Sequence, residues 1–294
     1  MLRPIVAYGL LTLTMAIWGG ALVTARGIHE LAPPIGLTFW RWLLAFAILL
    51  PIVWRKLPSL RQGTSSDRST LVNLGLFMVL GTTLSVTAVN FTTAINATLI
   101  NAAQAAMTAS VAFLVLRERL ARRQVIGIVS AFTGVLIMVF RGDVAALLDV
   151  EVNWGDLIMI AAIVAWAFYA VTLHRASGVP DGDLLLFVIA AVGVVSLAPL
   201  YVLETVALRP MVPSVPTIGG VVYLAVASTV LAIHFWNLAI RSVGASRAAV
   251  FVNLIPVFGA LFATVFLGER LFAYHFAGGV LVCVGIVLAI RKPS

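Results

Sequence analysis

Residues 94–141 decide how this chain folds. They read AINATLINAAQAAMTASVAFLVLRERLARRQVIGIVSAFTGVLIMVFR, which is two apolar segments joined by a short charged turn. Residues 245–292 repeat the pattern as ASRAAVFVNLIPVFGALFATVFLGERLFAYHFAGGVLVCVGIVLAIRK. An offset of 151 residues superposes four identical pairs, Glu118 on Glu269, Leu120 on Leu271, Gly127 on Gly278 and Gly134 on Gly285. A fixed internal period indicates a duplicated unit, so we predict two related halves, residues 1–141 and 142–294.

The composition is far more apolar than that of a soluble protein. Of the 294 residues, 62% are hydrophobic and 10% are charged, whereas about a quarter of a soluble domain is charged. The apolar residues fall into ten runs, each close to the ~20 residues that a bilayer-spanning helix needs. The runs are residues 5–24, 35–54, 71–91, 96–116, 124–140, 154–174, 184–203, 217–239, 247–267 and 274–290.

Lysine and arginine residues are distributed unevenly between the turns. The formal net charge of +8 would suit a nucleic-acid partner, but the basic residues lie in short turns between apolar runs, which favours membrane orientation instead. If the N-terminus is cytoplasmic, 14 of the 19 lysines and arginines face the cytoplasm. We therefore expect a bacterial inner-membrane protein with both termini in the cytoplasm. The single cysteine, Cys283, excludes an intrachain disulfide.

The number of helices in each half has a consequence for topology. Five is odd, so the second half enters the membrane from the opposite side and the two halves form an inverted repeat. Secondary transporters are commonly built in this way, with the substrate bound near the bilayer midplane. We predict an all-α polytopic membrane protein of ten transmembrane helices, in two five-helix halves around a central cavity.

Two features of the repeat are interpreted as structural. Glu118 and Glu269 lie in turns, where a carboxylate can accept hydrogen bonds from the N-terminus of a neighbouring helix. The glycines of the fifth and tenth runs are predicted to form close helix contacts, between the halves or between protomers. These glycines are Gly127, Gly134, Gly278, Gly279 and Gly285.

Ten predicted helices in two halves, each ending in a helix pair joined by Glu-Arg-Leu, resemble the EamA-type transporters of the drug/metabolite transporter superfamily. Further similarities are Trp18-Gly19-Gly20, Trp166-Ala167-Phe168-Tyr169 and Asn253-Leu254-Ile255-Pro256. Ala105 stands where the second half has Pro256, so the fourth run lacks the proline for a kink and the halves are expected to bend unequally. The resemblance implies an inner-membrane carrier for metabolites, commonly an exporter. The bacterial exporters of aromatic and other apolar amino acids are the branch that this sequence resembles most.

Polar residues inside the runs are candidate substrate contacts. Asn101, Gln104 and Thr108 share one helical face of the fourth run, and line the cavity or only bond to other helices. Asn253 lies in the ninth run just before Pro256, a predicted hinge or else a simple kink.

Aromatic residues form a second candidate set. Trp18, Trp166 and Tyr169 fall near the middle of their runs, and either line the pocket or pack in the core. His234 is a candidate for proton coupling or a hydrogen-bonded structural residue. The segment 39–42, which holds Phe39, Trp40, Arg41 and Trp42, is interpreted as an interfacial belt without function.

No aspartate or glutamate lies in the middle of a run, which argues against a carboxylate proton relay and against cationic drugs as cargo. The sequence lacks the motifs of zinc hydrolases, serine hydrolases and P-loop ATPases. We expect no enzyme activity, no cofactor and no metal. The predicted function is a secondary transporter that exports small metabolites, with neutral and aromatic amino acids favoured. The alternative is efflux of drugs or of other metabolites such as nucleosides or sugars.

Overall fold

In a computed structural model, which describes residues 3–62, 65–117, 122–142, 153–176, 179–180, 182–243 and 251–290, every regular element is helical. A 3-10 segment, Trp54–Gln62, follows the second helix, and a π-helical segment, Tyr223–Leu231, joins the ninth helix to the tenth. The helices are α1 Pro4–Gly27, α2 Pro34–Val53, α3 Ser65–Ala88, α4 Ala94–Ala102, α5 Gln104–Leu116, α6 Arg122–Val139, α7 Trp154–Arg175, α8 Gly182–Ala207, α9 Val215–Val222, α10 Ala232–Val243, α11 Leu254–Leu267 and α12 Ala273–Ile290.

Residues in the turns fix where several helices begin. Pro34 opens α2, where its missing N–H costs nothing because N–H groups of the first turn have no helical partner. The side-chain oxygen of Asn153 accepts a hydrogen bond of 2.7 Å from the N–H of Gly155 at the start of α7. Thr93 caps α4 in the same way, through the N–H of Asn96 at 3.1 Å. Each such cap contributes about 1 kcal/mol, so these helix starts are set locally by the sequence.

Seven of the described helices are long and apolar enough to cross a membrane. They are Ile5–Gly27, Pro34–Pro58, Arg68–Ala88, Arg122–Val139, Trp154–Arg175, Gly182–Ala207 and Val215–Ala239. The bent pair α4 and α5 would add an eighth crossing, while α11 and the apolar part of α12 are shorter. Large apolar side chains such as Val195, Val206 and Phe266 are exposed on the outside, as contact with lipid requires. The all-helical class is therefore confirmed, whereas the ten crossings stay a prediction.

The fourth predicted run is broken rather than continuous. α4 ends at Ala102 and α5 begins at Gln104, and the two are bent by 43°. The N–H of Ala103 donates to the carbonyl of Ile100 at 3.0 Å, which is the tighter spacing of a 3-10 turn. The chain therefore bends at Ala103 without a proline, and the alanine at position 105 does not keep this run straight.

Pro256, the predicted hinge, lies buried in the first turn of α11. The offset of 151 residues carries Ala103 onto Leu254, where α11 begins, so the break in the first half and this helix start occupy equivalent positions. A proline in the first turn removes no helical hydrogen bond. Pro256 thus lies at the start of α11, and its roles as a hinge or a kink of the ninth run stay predictions.

α6 and α12 form a close contact lined by glycine. A Cβ added to Gly134 would lie 2.5 Å from the carbonyl oxygen of Gly278, and one added to Gly285 would lie 2.5 Å from that of Gly127. Because Gly127 meets Gly285 while Gly134 meets Gly278, the two helices run antiparallel. Of the two pairings left open by the sequence, the structure has the one between the halves of one chain.

One hydrogen bond lies at the centre of this contact. The hydroxyl of Ser130 donates to the carbonyl of Leu281 at 2.9 Å. Ser130 and Leu281 are also equivalent positions of the two halves, because they are 151 residues apart in sequence. The contact between α6 and α12 therefore maps onto itself when the halves are exchanged. The other main contacts also join the halves, because α2 packs on α8, α3 on α7, α4 on α11, and α1 on both α10 and α11.

Candidate functional site

The π segment, Tyr223–Leu231, gathers side chains from α1 and α2. The Nε1–H of Trp18 donates to the carbonyl of Ser228 at 3.1 Å, and the Nε–H of Arg41 donates to Oγ1 of Thr229 at 2.8 Å. Ser228 and Thr229 are consecutive buried residues, and π-helical turns occur frequently at functional sites. Thr229 stands midway between the start of α9 and the end of α10, so both contacts lie at mid-depth in the bundle.

Arg41 points into the bundle, which corrects its interpretation as part of an interfacial belt. Its guanidinium carbon lies 5.5 Å from the centre of the Trp42 ring, and Trp42 is fully buried. Of the two tryptophans that flank Arg41, Trp40 is exposed, as a belt residue would be. The sequence indicates how deep Arg41 lies along its helix but not which face of the helix it occupies. For this reason the interfacial assignment of Arg41 was wrong.

The guanidinium of Arg41 is held at one nitrogen and unused at the other two. The Thr229 hydroxyl that accepts from Nε also donates to the carbonyl of Leu224 at 2.8 Å, so its one hydrogen is already used. Among the residues that the structure describes, the two Nη atoms of Arg41 have no hydrogen-bond partner, and the one ion pair joins His234 to Asp183. The π segment therefore faces a cation that no described carboxylate neutralises.

Aromatic rings lie on both sides of this region. Trp18 packs against Trp236, with ring centroids 5.6 Å apart. Trp166 and Tyr169 meet edge to face at 5.9 Å, and both pack into the core cluster that contains Trp42. A Cβ at Gly81 would lie 2.9 Å from the Trp166 indole, so the backbone of α3 touches this ring directly. Two clefts on the surface lie at the two ends of α2 and include no residue of the π segment.

The predicted polar contacts in the fourth and ninth runs differ in their surroundings. Asn101 and Gln104 are half-buried on either side of the break at Ala103, and within the described residues their side-chain amides have no hydrogen-bond partner. The hydroxyl of Thr108 donates to the carbonyl of Gln104, one turn earlier in the same helix, at 2.8 Å. Asn253 is half-buried and immediately precedes α11.

His234 is exposed. Its ionic partner is Asp183, which is not one of the candidate site residues. Its Nδ1 lies 3.9 Å from a carboxylate oxygen of Asp183, and both side chains are partly open to solvent. Within the described residues, no three His, Cys, Asp or Glu side chains group together as metal ligands would.

A second polar cluster, which sequence reasoning missed, joins α4, α7 and α12. Asp156 is 1% exposed and accepts hydrogen bonds from the Thr92 hydroxyl at 2.6 Å and the Asn96 amide at 3.2 Å. The N–H of Phe272 donates to Nδ1 of His275 at 2.9 Å, so Nε2 carries the ring proton and donates to Asn96 Oδ1 at 3.0 Å. Asp156 sits in the first turn of α7, at the end of a predicted run rather than in its middle. An asparagine three residues before an acidic residue is a helix-start signal that would have revealed it.

Two glutamates cap helices from a distance. Glu269 accepts hydrogen bonds from the N–H groups of Ala94 and Ile95, at 2.8 and 2.9 Å. Glu204 does the same for α2, where it accepts from the N–H of Gly36 at 2.7 Å. Both carboxylates thus belong to the second half and cap helices of the first. The structural interpretation of Glu269 is confirmed, while its counterpart Glu118 lies outside the described residues.

Comparison with known proteins identifies relatives over the whole length. The sequence profile described as the EamA-like transporter family matches residues 5–140 and 153–291. An uncharacterized transporter of Bacillus subtilis, YyaM, is 28% identical over 87% of this chain and 85% of its own. A probable amino-acid metabolite efflux pump of Salmonella typhimurium is 26% identical over 94% of this chain and 92% of its own, and one of Escherichia coli is 25% identical over 94% and 92%. A protein of known crystal structure, 18% identical, superposes with a TM-score of 0.61 over 98% of each chain.

Proposed function

The chain belongs to the EamA-like transporter family, and from this premise we propose that it exports neutral and aromatic amino acids by alternating access at the π segment. It is a multi-pass membrane protein and a small-molecule transporter. Our proposal adds the cargo, the direction of transport and the residues that bind the cargo.

One observation carries the proposal, namely the indole of Trp18 fixed at mid-depth on the carbonyl of Ser228. Trp236 stands against it, and together they offer flat apolar walls with polar edges, which suit an aromatic or apolar side chain. The amides of Asn101 and Gln104, half-buried at the break in the fourth run, supply donors and acceptors for polar groups of the cargo. Trp166, Tyr169 and Asn253 are proposed to complete the lining, and Pro256 to act as its hinge.

The antiparallel pairing of α6 with α12 supports an inverted repeat. We propose that residues 1–141 and 142–294 each contribute five crossings, with α4 and α5 together forming the fourth and with α11 and α12 as the ninth and tenth. Two halves of opposite orientation can exchange their conformations, which opens a site between them first to one side of the membrane and then to the other.

The names of the relatives favour amino acids over other cargo, because those of Salmonella typhimurium and Escherichia coli are probable amino-acid metabolite efflux pumps. We also propose a bacterial inner membrane as the location. The excess of lysine and arginine in alternate turns supports cytoplasmic termini.

The proposal is tested with purified protein in liposomes loaded with phenylalanine, tryptophan, threonine, lysine or glutamate. We expect saturable release of the three neutral amino acids and little release of lysine or glutamate. Trp18→Ala should slow the release, whereas Trp154→Ala, at a residue that is 72% exposed, should leave it unchanged. Release of none of the five would contradict the amino-acid cargo and favour drugs, nucleosides or sugars.

A further inference from the structure

We propose that Arg41 binds a carboxylate group of the cargo, so that this transporter carries small molecules that combine a carboxylate with an apolar side chain. The inference rests on the proposed function, because it assigns a chemical group of the cargo to the same site.

The electrostatics of Arg41 call for an anion. A guanidinium stays protonated in proteins, and an unpaired charge among apolar helices is costly. The described carboxylates with known contacts are engaged elsewhere. Their partners are Gly36 for Glu204, Ala94 for Glu269, Thr92 for Asp156 and His234 for Asp183. Since none of them approaches Arg41, the described part of the chain leaves its charge unbalanced at mid-depth.

The guanidinium is also held in a fixed orientation. Thr229 accepts the Nε–H bond at 2.8 Å, and the hydroxyl of Thr229 is itself fixed by its bond to the carbonyl of Leu224. The remaining edge of the planar group carries two Nη atoms, which is the geometry that binds a carboxylate through two parallel hydrogen bonds. Because the group is positioned before the ligand arrives, less conformational entropy is lost on binding.

A third observation is an unused hydrogen-bond donor on the residue next to Arg41. The indole N–H of the adjacent Trp42 is buried without a partner among the described residues. A region with unused guanidinium and indole N–H groups favours a ligand that only accepts hydrogen bonds, such as a carboxylate, over an amine or a neutral amide. Arg41 would likewise repel a cationic drug.

Two consecutive residues of the π segment contact the two side chains that we assign to the ligand. Arg41 contacts Thr229, and Trp18 contacts Ser228, the preceding residue. The proposal therefore places the carboxylate at Arg41 and the rest of the same small molecule along the π segment toward Trp18. This arrangement matches an amino acid or a 3-arylpropionate.

The test compares carboxylic acids with their amides as ligands of the purified protein. The main pair is 3-phenylpropionate with the uncharged 3-phenylpropanamide, and the second pair is phenylalanine with phenylalaninamide, which keeps its ammonium group. Binding is measured from the ligand-dependent rise in unfolding temperature. Charge-assisted hydrogen bonds to the half-buried Arg41 should make each acid bind at least about tenfold more tightly than its amide. Arg41→Gln should abolish that ratio and Arg41→Lys should restore part of it, while the exposed control Arg270→Gln should retain all of it.

Three results would overturn the assignment: equal binding of acid and amide by the unmodified protein, a ratio that persists in Arg41→Gln, or no stabilisation by either acid. The acid-to-amide comparison needs no variant, so a folding defect of Arg41→Gln does not remove the test. If 3-phenylpropionate binds through Arg41 but phenylalanine is not released from liposomes, the amino-acid cargo is wrong and the carboxylate site stands.

Discussion

Replacing Glu269 by alanine is predicted to destabilise the protein, because this carboxylate caps α4 from the opposite half. Its two oxygens accept the N–H groups of Ala94 and Ile95, and both residues are completely buried. A buried donor left without a partner costs about 1–3 kcal/mol, so losing the acceptors of both donors should lower the free energy of unfolding by about 2–6 kcal/mol. At about 2 °C per kcal/mol for a chain of this length, the unfolding temperature should fall by roughly 4–12 °C.

The assay is thermal unfolding of the purified protein in detergent, with three variants. Glu269→Gln keeps one acceptor oxygen and should lose about half as much as Glu269→Ala. Glu204→Gln, which weakens the equivalent cap on α2, should behave like Glu269→Gln. The neighbouring exposed Arg270→Gln should change the free energy of unfolding by less than about 0.5 kcal/mol. A Glu269→Ala variant as stable as Arg270→Gln would refute the argument that this carboxylate ties the halves together.

Three further predictions concern the helix contact, the Asp156 cluster and the candidate site. Gly134→Ala should cost about 1–3 kcal/mol, because the added Cβ would meet the backbone of α12. Gly279→Ala should be nearly neutral, because the nearest neighbour of its Cβ is a flexible side chain 3.5 Å away. Thermal unfolding of the two variants distinguishes these outcomes. Asp156→Ala should cost about 2–6 kcal/mol in the same assay by leaving two buried donors unpaired, and an unchanged unfolding temperature would contradict this. Gln104→Ala should reduce phenylalanine release without reducing the folded protein in the membrane, and normal release would remove Gln104 from the site.

The sequence predicted much of the architecture, for reasons visible in particular residues. The glycines that recur at an offset of 151 residues lie where α6 meets α12, because close contact of two helices removes space for any side chain. Glu269 could be assigned to a helix cap because a carboxylate in a short turn has few other partners in an apolar chain. Such features depend on composition and local position, which the sequence displays directly.

The sequence did not reveal which face of a helix points inward. Arg41 and Trp42 were assigned to the lipid interface by depth alone, while the π segment that receives Arg41 depends on the packing of α1 and α2. The partners of Asp156, namely Thr92 and Asn96, lie about 60 residues away in sequence, and no periodicity reports such a contact. The break at Ala103 likewise has no proline or glycine to announce it.

The most direct test of alternating access at the π segment uses a single reactive thiol. Ser228→Cys, in a Cys283→Ser background that removes the one native cysteine, places the thiol on the residue whose carbonyl accepts the Trp18 hydrogen bond. We predict that a membrane-impermeant maleimide labels this position from either side of the membrane, and that phenylalanine slows the labelling from both. Labelling from only one side, or labelling that phenylalanine does not affect, would contradict the account.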